Sequence, residues 1–219
     1  MTRVAHVRAT ATLVLGAAVA LAAGILFVRI AYDVYRGEVL HWDMQVLTWI
    51  QAHRHPLLTY FFERTTALGS NLILVVVAVG ACAALFLSGR RDMAAAIAAA
   101  LLGGQLLSGG LKLLFARPRP DVPALTSARG YAFPSGHAVN SVVFFVTLAL
   151  LVSGHVKGRA LRIFLLLYAL FVGALVSVSR LYLGVHYPSD VLGGALVGIS
   201  WSITVVIFEH LFWHARRSR

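Results

Sequence analysis

The sequence predicts an all-α, polytopic membrane protein: six transmembrane helices, with an amphipathic interfacial segment between the first two. Three observations carry this prediction. Of the 219 residues, 59% are hydrophobic and only 12% charged, against roughly 25% charged in soluble domains. The mean hydropathy is +0.82. The apolar residues fall in runs near the twenty or so that a helix needs to cross a bilayer, with polar residues gathered between them. No solenoid-like repeat or low-complexity linker interrupts the pattern, so residues 1–219 read as a single integral membrane domain.

The first run, residues 9–30, follows Arg3, His6 and Arg8. It is Ala-rich, as a cleaved leader would be, but its apolar core is long for one, and we read it as a retained span. Residues 32–69 are interrupted by polar side chains. His41-Trp-Asp-Met-Gln-Val-Leu-Thr-Trp-Ile50 alternates at helical spacing, and Pro56 opens another helix. Trp42, Trp49, Tyr35 and Tyr60 suit the headgroup level. His53, Arg54 and His55 read as a wet loop, with contact to lipid phosphate as the sharper alternative. The second span is residues 71–88, ending at Arg90-Arg91-Asp92. The third, 93–115, is rich in Ala and Gly. Ser108 and the pairs Gly103-Gly104 and Gly109-Gly110 are expected to let helices approach closely. The fourth and fifth, 135–153 and 161–179, flank a basic turn at Gly154–Arg159. The sixth, 190–213, carries Gly194 and Gly198 on one face, which reads as packing.

Net charge is +11, from 19 Lys and Arg against 8 Asp and Glu. The basic residues are scattered between apolar runs, which excludes nucleic acid as their partner; the lipid bilayer and its anionic headgroups account for them. Six spans put both termini on one side. Placing the termini in the cytoplasm gathers Arg3, Arg8, Arg90, Arg91, Lys157, Arg159, Arg162, Arg216, Arg217 and Arg219 there, the positive-inside pattern. The protein is then expected in a bacterial inner membrane. The single cysteine, Cys82, lies within an apolar run, which excludes an intramolecular disulfide and a thiolate metal site.

Three polar stretches stand at the outer, periplasmic ends of spans three to six. In Lys112-Leu-Leu-Phe-Ala-Arg117-Pro-Arg119-Pro120 the prolines should stop the helix near Arg117. Lys112 sits a turn inside that end, and with Arg117 and Arg119 it reads as a phosphate clamp. Phe133-Pro134-Ser135-Gly136-His137 reads as a helix start, whose free N–H groups and dipole favour an anion. Ser135 is the expected N-cap, and Gly136 permits close approach. In Ser179-Arg180-Leu-Tyr-Leu-Gly-Val-His186-Tyr-Pro-Ser-Asp190, the acid four residues past the histidine can reach back to its ring. An Asp190 that accepts the Nδ1–H of His186 frees Nε2 to attack phosphorus. His137 is then the proton donor to the leaving oxygen, while Lys112, Arg119 and Arg180 spread the developing charge.

In this order and spacing, the three stretches resemble the signature of the type 2 phosphatidic acid phosphatase (PAP2) superfamily, the membrane lipid phosphatases. The resemblance covers Lys112 to Asp190 by motif and the six-span layout by architecture. It implies phosphate binding by Lys112, Arg119, Ser135, Gly136 and Arg180, with His137 as acid, His186 as nucleophile and Asp190 as its orienting partner. It also implies no metal, no cofactor, and lipid access between helices. Arg117 is additional, and its role is open. Vanadate-dependent haloperoxidases share the pattern but are soluble.

The expected activity is hydrolysis of the terminal phosphate of a membrane lipid through a phosphohistidine. The short loops favour a small head: undecaprenyl diphosphate, phosphatidylglycerol phosphate or phosphatidic acid. A lipid phosphotransferase would use the same site. A zinc hydrolase built on His137, His186 and Asp190 is disfavoured by the three cations around it. A transporter or flippase is disfavoured because the charges sit at the surface rather than at mid-membrane.

Overall fold

The computed structural model describes residues 3–217, with side chains from Thr10 to Phe212. Arg3, Arg8, Arg216, Arg217 and Arg219, which carry part of the positive-inside pattern, have side chains outside that range. Among the described residues eight helices follow one another: α1 (Arg3–Arg36), α2 (Leu40–Ala52), α3 (Pro56–Ala67), α4 (Asn71–Leu87), α5 (Arg91–Phe115), α6 (Gly136–Ser153), α7 (Arg159–Tyr182) and α8 (Pro188–Arg217). Five helices among the described residues are long and apolar enough to cross a membrane. The expected span at 71–88 is α4, whose 17 residues continue from α3 across a bend of 47°. Six spans result when that bent pair counts as one.

α6 lies at the centre, packed against α5, α7 and α8; α4 covers α5, and α1 runs along α8. The largest apolar cluster fills the space between α4, α5, α6 and α8 with Leu74, Ile97, Val139, Val143, Phe144 and Val197. Burying such side chains away from water would drive folding of a soluble protein, but lipid is as apolar as they are. Close packing and interhelical hydrogen bonds must do more of the work here. Trp201 Nε1 donates to the Ala100 carbonyl at 2.8 Å, and Asn140 Nδ2 to Asn71 Oδ1 at 2.9 Å.

Small residues set how close the helices come. A Cβ added to Gly194 would lie 2.7 Å from the Ser135 carbonyl and 2.9 Å from the Ala138 methyl; one at Gly198 would meet Val142 at 2.8 Å. The Gly194–Gly198 face therefore seats α8 on the start of α6, as expected. Gly103 faces Trp201 and Gly104 faces Val143, but a Cβ at Gly109 or Gly110 meets nothing within 4 Å. The second pair is no packing device, because it lies on the outward face of α5.

This contrast gives a paired prediction. Gly109→Ala should stabilise by about 0.5–1 kcal/mol, the helix-propensity gain of Ala over Gly. Gly194→Ala should destabilise by about 1–3 kcal/mol, because overpacking against the backbone outweighs that gain. Thermal unfolding in detergent measures both, and equal shifts would contradict the packing account.

The helices alternate in direction, so the C-termini of α5 and α7 and the N-termini of α6 and α8 meet at one end of the bundle. The α2–α3 hairpin covers that end. Antiparallel α1 and α8, in contact through Gly24 and Ser200, place the first residues of α1 and the last of α8 at the other end.

Candidate active site

The three polar stretches converge at the hairpin end. Ala116 closes α5 in the left-handed region (φ 44°), and Pro118 forbids further helix. The chain thus turns sharply at Arg117 and runs as a loop to Ser135. Three backbone hydrogen bonds pin that loop: Ala132 N–H to the Arg117 carbonyl, Leu125 N–H to Leu183, and Ser135 N–H to Asp190, each 2.9 Å. Phe133, fully buried, wedges between Phe27 and Phe115 and anchors the segment that delivers Ser135.

At α8, Tyr187 is the cap residue, Pro188 occupies the first helical position, and Asp190 sits at the third. This is a capping-box arrangement: Asp190 Oδ2 reaches back to accept the Tyr187 N–H at 2.8 Å. The same oxygen lies 3.3 Å from His186 Nδ1. On the other side of the ring, Arg119 Nη1 lies 3.3 Å from Nε2. A carboxylate can only accept and a guanidinium can only donate, so the ring carries its proton on Nδ1 and a lone pair on Nε2. Burial pushes the His186 pKa down to about 4. Asp190 pulls it up through its hydrogen bond and charge, and Arg119 and Lys112 lower it further. The ring is neutral at neutral pH.

The basic residues surround that lone pair. Arg119 is held as a rigid fork by the carbonyls of Val185 (2.7 Å), Arg129 (2.9 Å) and Gly130 (3.0 Å). Lys112 Nζ donates to the Tyr131 carbonyl at 2.7 Å, and its Cε lies 3.7 Å from where a Gly136 Cβ would stand. Arg180 belongs to the last turn of α7, not to a loop; it is 4% exposed and donates through Nη1 to Thr66 Oγ1 at 2.8 Å. Its Nε is buried without a hydrogen-bond partner among the described residues, and so is Ser135 Oγ. Orphaned buried polar atoms are costly, and an anion bound there would satisfy both. Ser135 holds the N-cap position of α6, but its side chain caps no helix N–H, so its hydroxyl is available to a ligand. His137, half-buried in the first turn of α6, stands beside Gly69 at the α3–α4 bend.

Arg117 does not join this basic cluster. It faces away, stacked over the Tyr187 ring with Cζ 4.0 Å from the centroid. Nη1 donates to Asp190 Oδ1 and Ser189 Oγ, and Nη2 to Asp43 Oδ2, all at 2.7 Å. Asp43 and Asp190 are both completely buried. The sequence shows Asp43 only as an acid within an amphipathic helix, and nothing local marks it as buried. Arg54 is likewise no part of a wet loop. It bonds the carbonyls of Tyr182 (2.9 Å) and Pro123 (2.8 Å) beside Gly184, whose φ of +76° and crowding by Arg54 and Pro123 leave no room for a side chain. His53 is exposed and bonds its own helix. His55 is also exposed and caps α3. Among the described residues no three His, Cys, Asp or Glu side chains converge as metal ligands.

Residues 93–213 match the model of the PAP2 superfamily. The chain is 28% identical over 177 residues to phosphatidylglycerophosphatase B of Bacillus subtilis, covering 80% of this chain and 87% of that protein. It is 30% identical to a lipid A 4'-phosphatase of Porphyromonas gingivalis over 74% of this chain and 70% of that one. Its fold superposes on the crystal structure of a transmembrane PAP2-type phosphatidylglycerolphosphate phosphatase from Bacillus subtilis with a TM-score of 0.82 at 26% identity, covering 88% of this chain and 96% of the other. An all-helical, multi-pass architecture and a family match over more than half its length lead to one assignment: the chain belongs to the PAP2 superfamily and is a membrane phosphatase of that family.

Proposed function

We propose that the protein hydrolyses the terminal phosphate of a small-headed membrane lipid through a phosphohistidine on His186. The observation that carries this is the pair of contacts on His186, with Nδ1 held by buried Asp190 and Nε2 facing Arg119. In the first step the Nε2 lone pair forms a bond to phosphorus while the bond to the lipid oxygen breaks. His137 gives that oxygen a proton, so the lipid leaves as an alcohol or a monophosphate. Lys112, Arg119, Arg180, Ser135 and the N–H groups at Gly136 hold the equatorial oxygens, where charge accumulates. In the second step water attacks phosphorus, its proton passes to His137, the P–N bond breaks, and inorganic phosphate departs. The three cations and the helix N-terminus supply the electrostatic work, so the reaction needs no metal.

Undecaprenyl diphosphate, phosphatidylglycerol phosphate and phosphatidic acid all place a terminal phosphate at the headgroup plane, which suits a site at the end of the bundle. Purified protein in detergent should release phosphate from at least one of these lipids, undiminished by EDTA. A rate abolished by chelator and restored by zinc or magnesium would overturn the metal-free mechanism. Transfer of the phosphoryl group to an added lipid alcohol in preference to water would make the protein a phosphotransferase.

We infer the sidedness from the basic turns Arg90-Arg91 and Lys157–Arg162, which lie at the end away from the site; the positive-inside rule favours that end as the cytoplasmic one and the site as the outer one. A cysteine at Thr126 in a Cys82→Ala background should react with impermeant maleimide in intact cells, and one at Gly158 only after permeabilisation. The reverse pattern would invert the topology.

A further inference from the structure

The polar network behind His186 has a member that the family match does not reach. Asp43 comes from α2, outside residues 93–213, yet it is fully buried against the start of α8. Its Oδ1 accepts the Ser189 N–H at 2.9 Å, and its Oδ2 accepts both the Ser189 hydroxyl and Arg117 Nη2. It therefore caps α8 from another helix, satisfying a first-turn N–H that the helix cannot satisfy itself. It also fixes Arg117, which touches the far side of Asp190, and Ser189, whose hydroxyl accepts from the same Arg117 Nη1. Ser189 is held by its backbone and hydroxyl, and Arg117 by one arm of its fork. The other arm reaches Asp190 Oδ1, leaving Oδ2 for Tyr187 N–H and His186 Nδ1.

We propose that Asp43 is a positioning residue for phosphoryl transfer, orienting Asp190 through Arg117 and Ser189 and leaving the network a net negative charge toward His186. The charge count explains why two acids are needed. Arg117 alone against Asp190 would be neutral, and the guanidinium would drain the field that Asp190 exerts on the ring. A second carboxylate on the opposite arm leaves one negative charge over the three groups. That charge stabilises the positive ring that develops as Nε2 bonds phosphorus. A buried cluster of this kind is rarely a net source of stability, because desolvation offsets the attraction, so stability alone is a poor reason to keep it. The remaining charged or titratable groups facing His186 are Asp190 on α8, Lys112 on α5, Arg119 in the loop and His137 on α6. Of these only Asp190 is negative, so among the described residues the network behind it is the counterweight to the basic groups.

The inference rests on His186 being the nucleophile, and the test separates the two. Full-length protein with Asp43→Asn, Asp190→Asn, the double substitution and His186→Ala is phosphorylated with p-nitrophenyl phosphate. Rates are expressed per active site, counted by the phosphohistidine formed. Asp43→Asn should slow phosphorylation per site by about tenfold or more, with KM within about threefold, because the loss falls on the transition state. Its acid limb should move to lower pH, since a negative charge near the ring is gone. The double variant should be no slower than Asp190→Asn alone by more than about twofold, because Asp43 acts through Asp190. Fewer sites at an unchanged rate per site, or multiplicative losses in the double variant, would reduce Asp43 to a structural residue and overturn the proposal. Ser189→Ala, which deletes one Asp43 contact without stranding a charge, should lower the rate per site in the same sense; an unchanged rate there also overturns it if Asp43→Asn does not fold. Label on the His186→Ala variant would instead refute the nucleophile assignment, whatever Asp43 does.

Discussion

His186→Ala should form no covalent phosphoenzyme with any substrate and lose at least about a thousandfold in turnover, as expected when a nucleophile is removed. His137→Ala should behave differently. Against a lipid phosphate, whose alkoxide is a poor leaving group, it should lose about 10²–10⁴-fold, the usual worth of a positioned general acid. Against p-nitrophenyl phosphate, whose leaving group needs little protonation, the first step should survive. The second step should then fail, because the same ring activates the water. Acid-labile, base-stable label should therefore accumulate on the His137 variant. The structure gives this asymmetry a geometric basis: only His186 is clamped on both nitrogens, by Asp190 and by Arg119. If label gathers on the His186 variant and not on the His137 variant, the roles are reversed.

Arg117→Met should be the most destabilising single change at this end of the bundle. It removes the one cation between Asp43 and Asp190 and leaves two like charges fully buried. Breaking a buried pair by deleting one partner costs about 3–5 kcal/mol. At roughly 2–4 °C per kcal/mol for a chain of this size, the midpoint of thermal unfolding should fall by about 10 °C. The substitution also strips Asp190 of its Oδ1 partner, so whatever folds should be inactive. Arg117→Lys keeps the charge but cannot reach both acids with a planar fork, and its midpoint should lie between the two. A midpoint within 2 °C or so of the unaltered protein, at neutral pH, would mean that the network contributes little.

Much of this molecule is legible from its residues in order, because both the bilayer and the phosphate impose local rules. A chain that must satisfy its backbone inside hydrocarbon has little choice but helices, so runs of apolar residues locate spans directly. Pro118, Pro134 and Pro188 mark the helix ends, and the motif residues sit within one turn of those ends. His186 lies one residue before the cap of the helix that carries Asp190, so their spacing in sequence alone brings the two together.

Relations between distant segments are another matter. Arg117 is two residues from Arg119, yet it turns to the opposite side, because the left-handed close of α5 at Ala116 and the proline after it redirect the chain. Asp43 lies 146 residues from Ser189, and nothing in its own surroundings distinguishes it from an acid at a headgroup surface. The same holds for Arg54, which the sequence places in a wet loop and the fold places on the carbonyls of Tyr182 and Pro123. The residue types and their spacing determined that this is a multi-helix membrane protein whose span ends carry basic residues and two histidines. Only the tertiary structure decided which acids and arginines stand behind them. A buried charge is tolerable where its partners already are, and where those partners are is set by the packing of helices that the sequence keeps far apart.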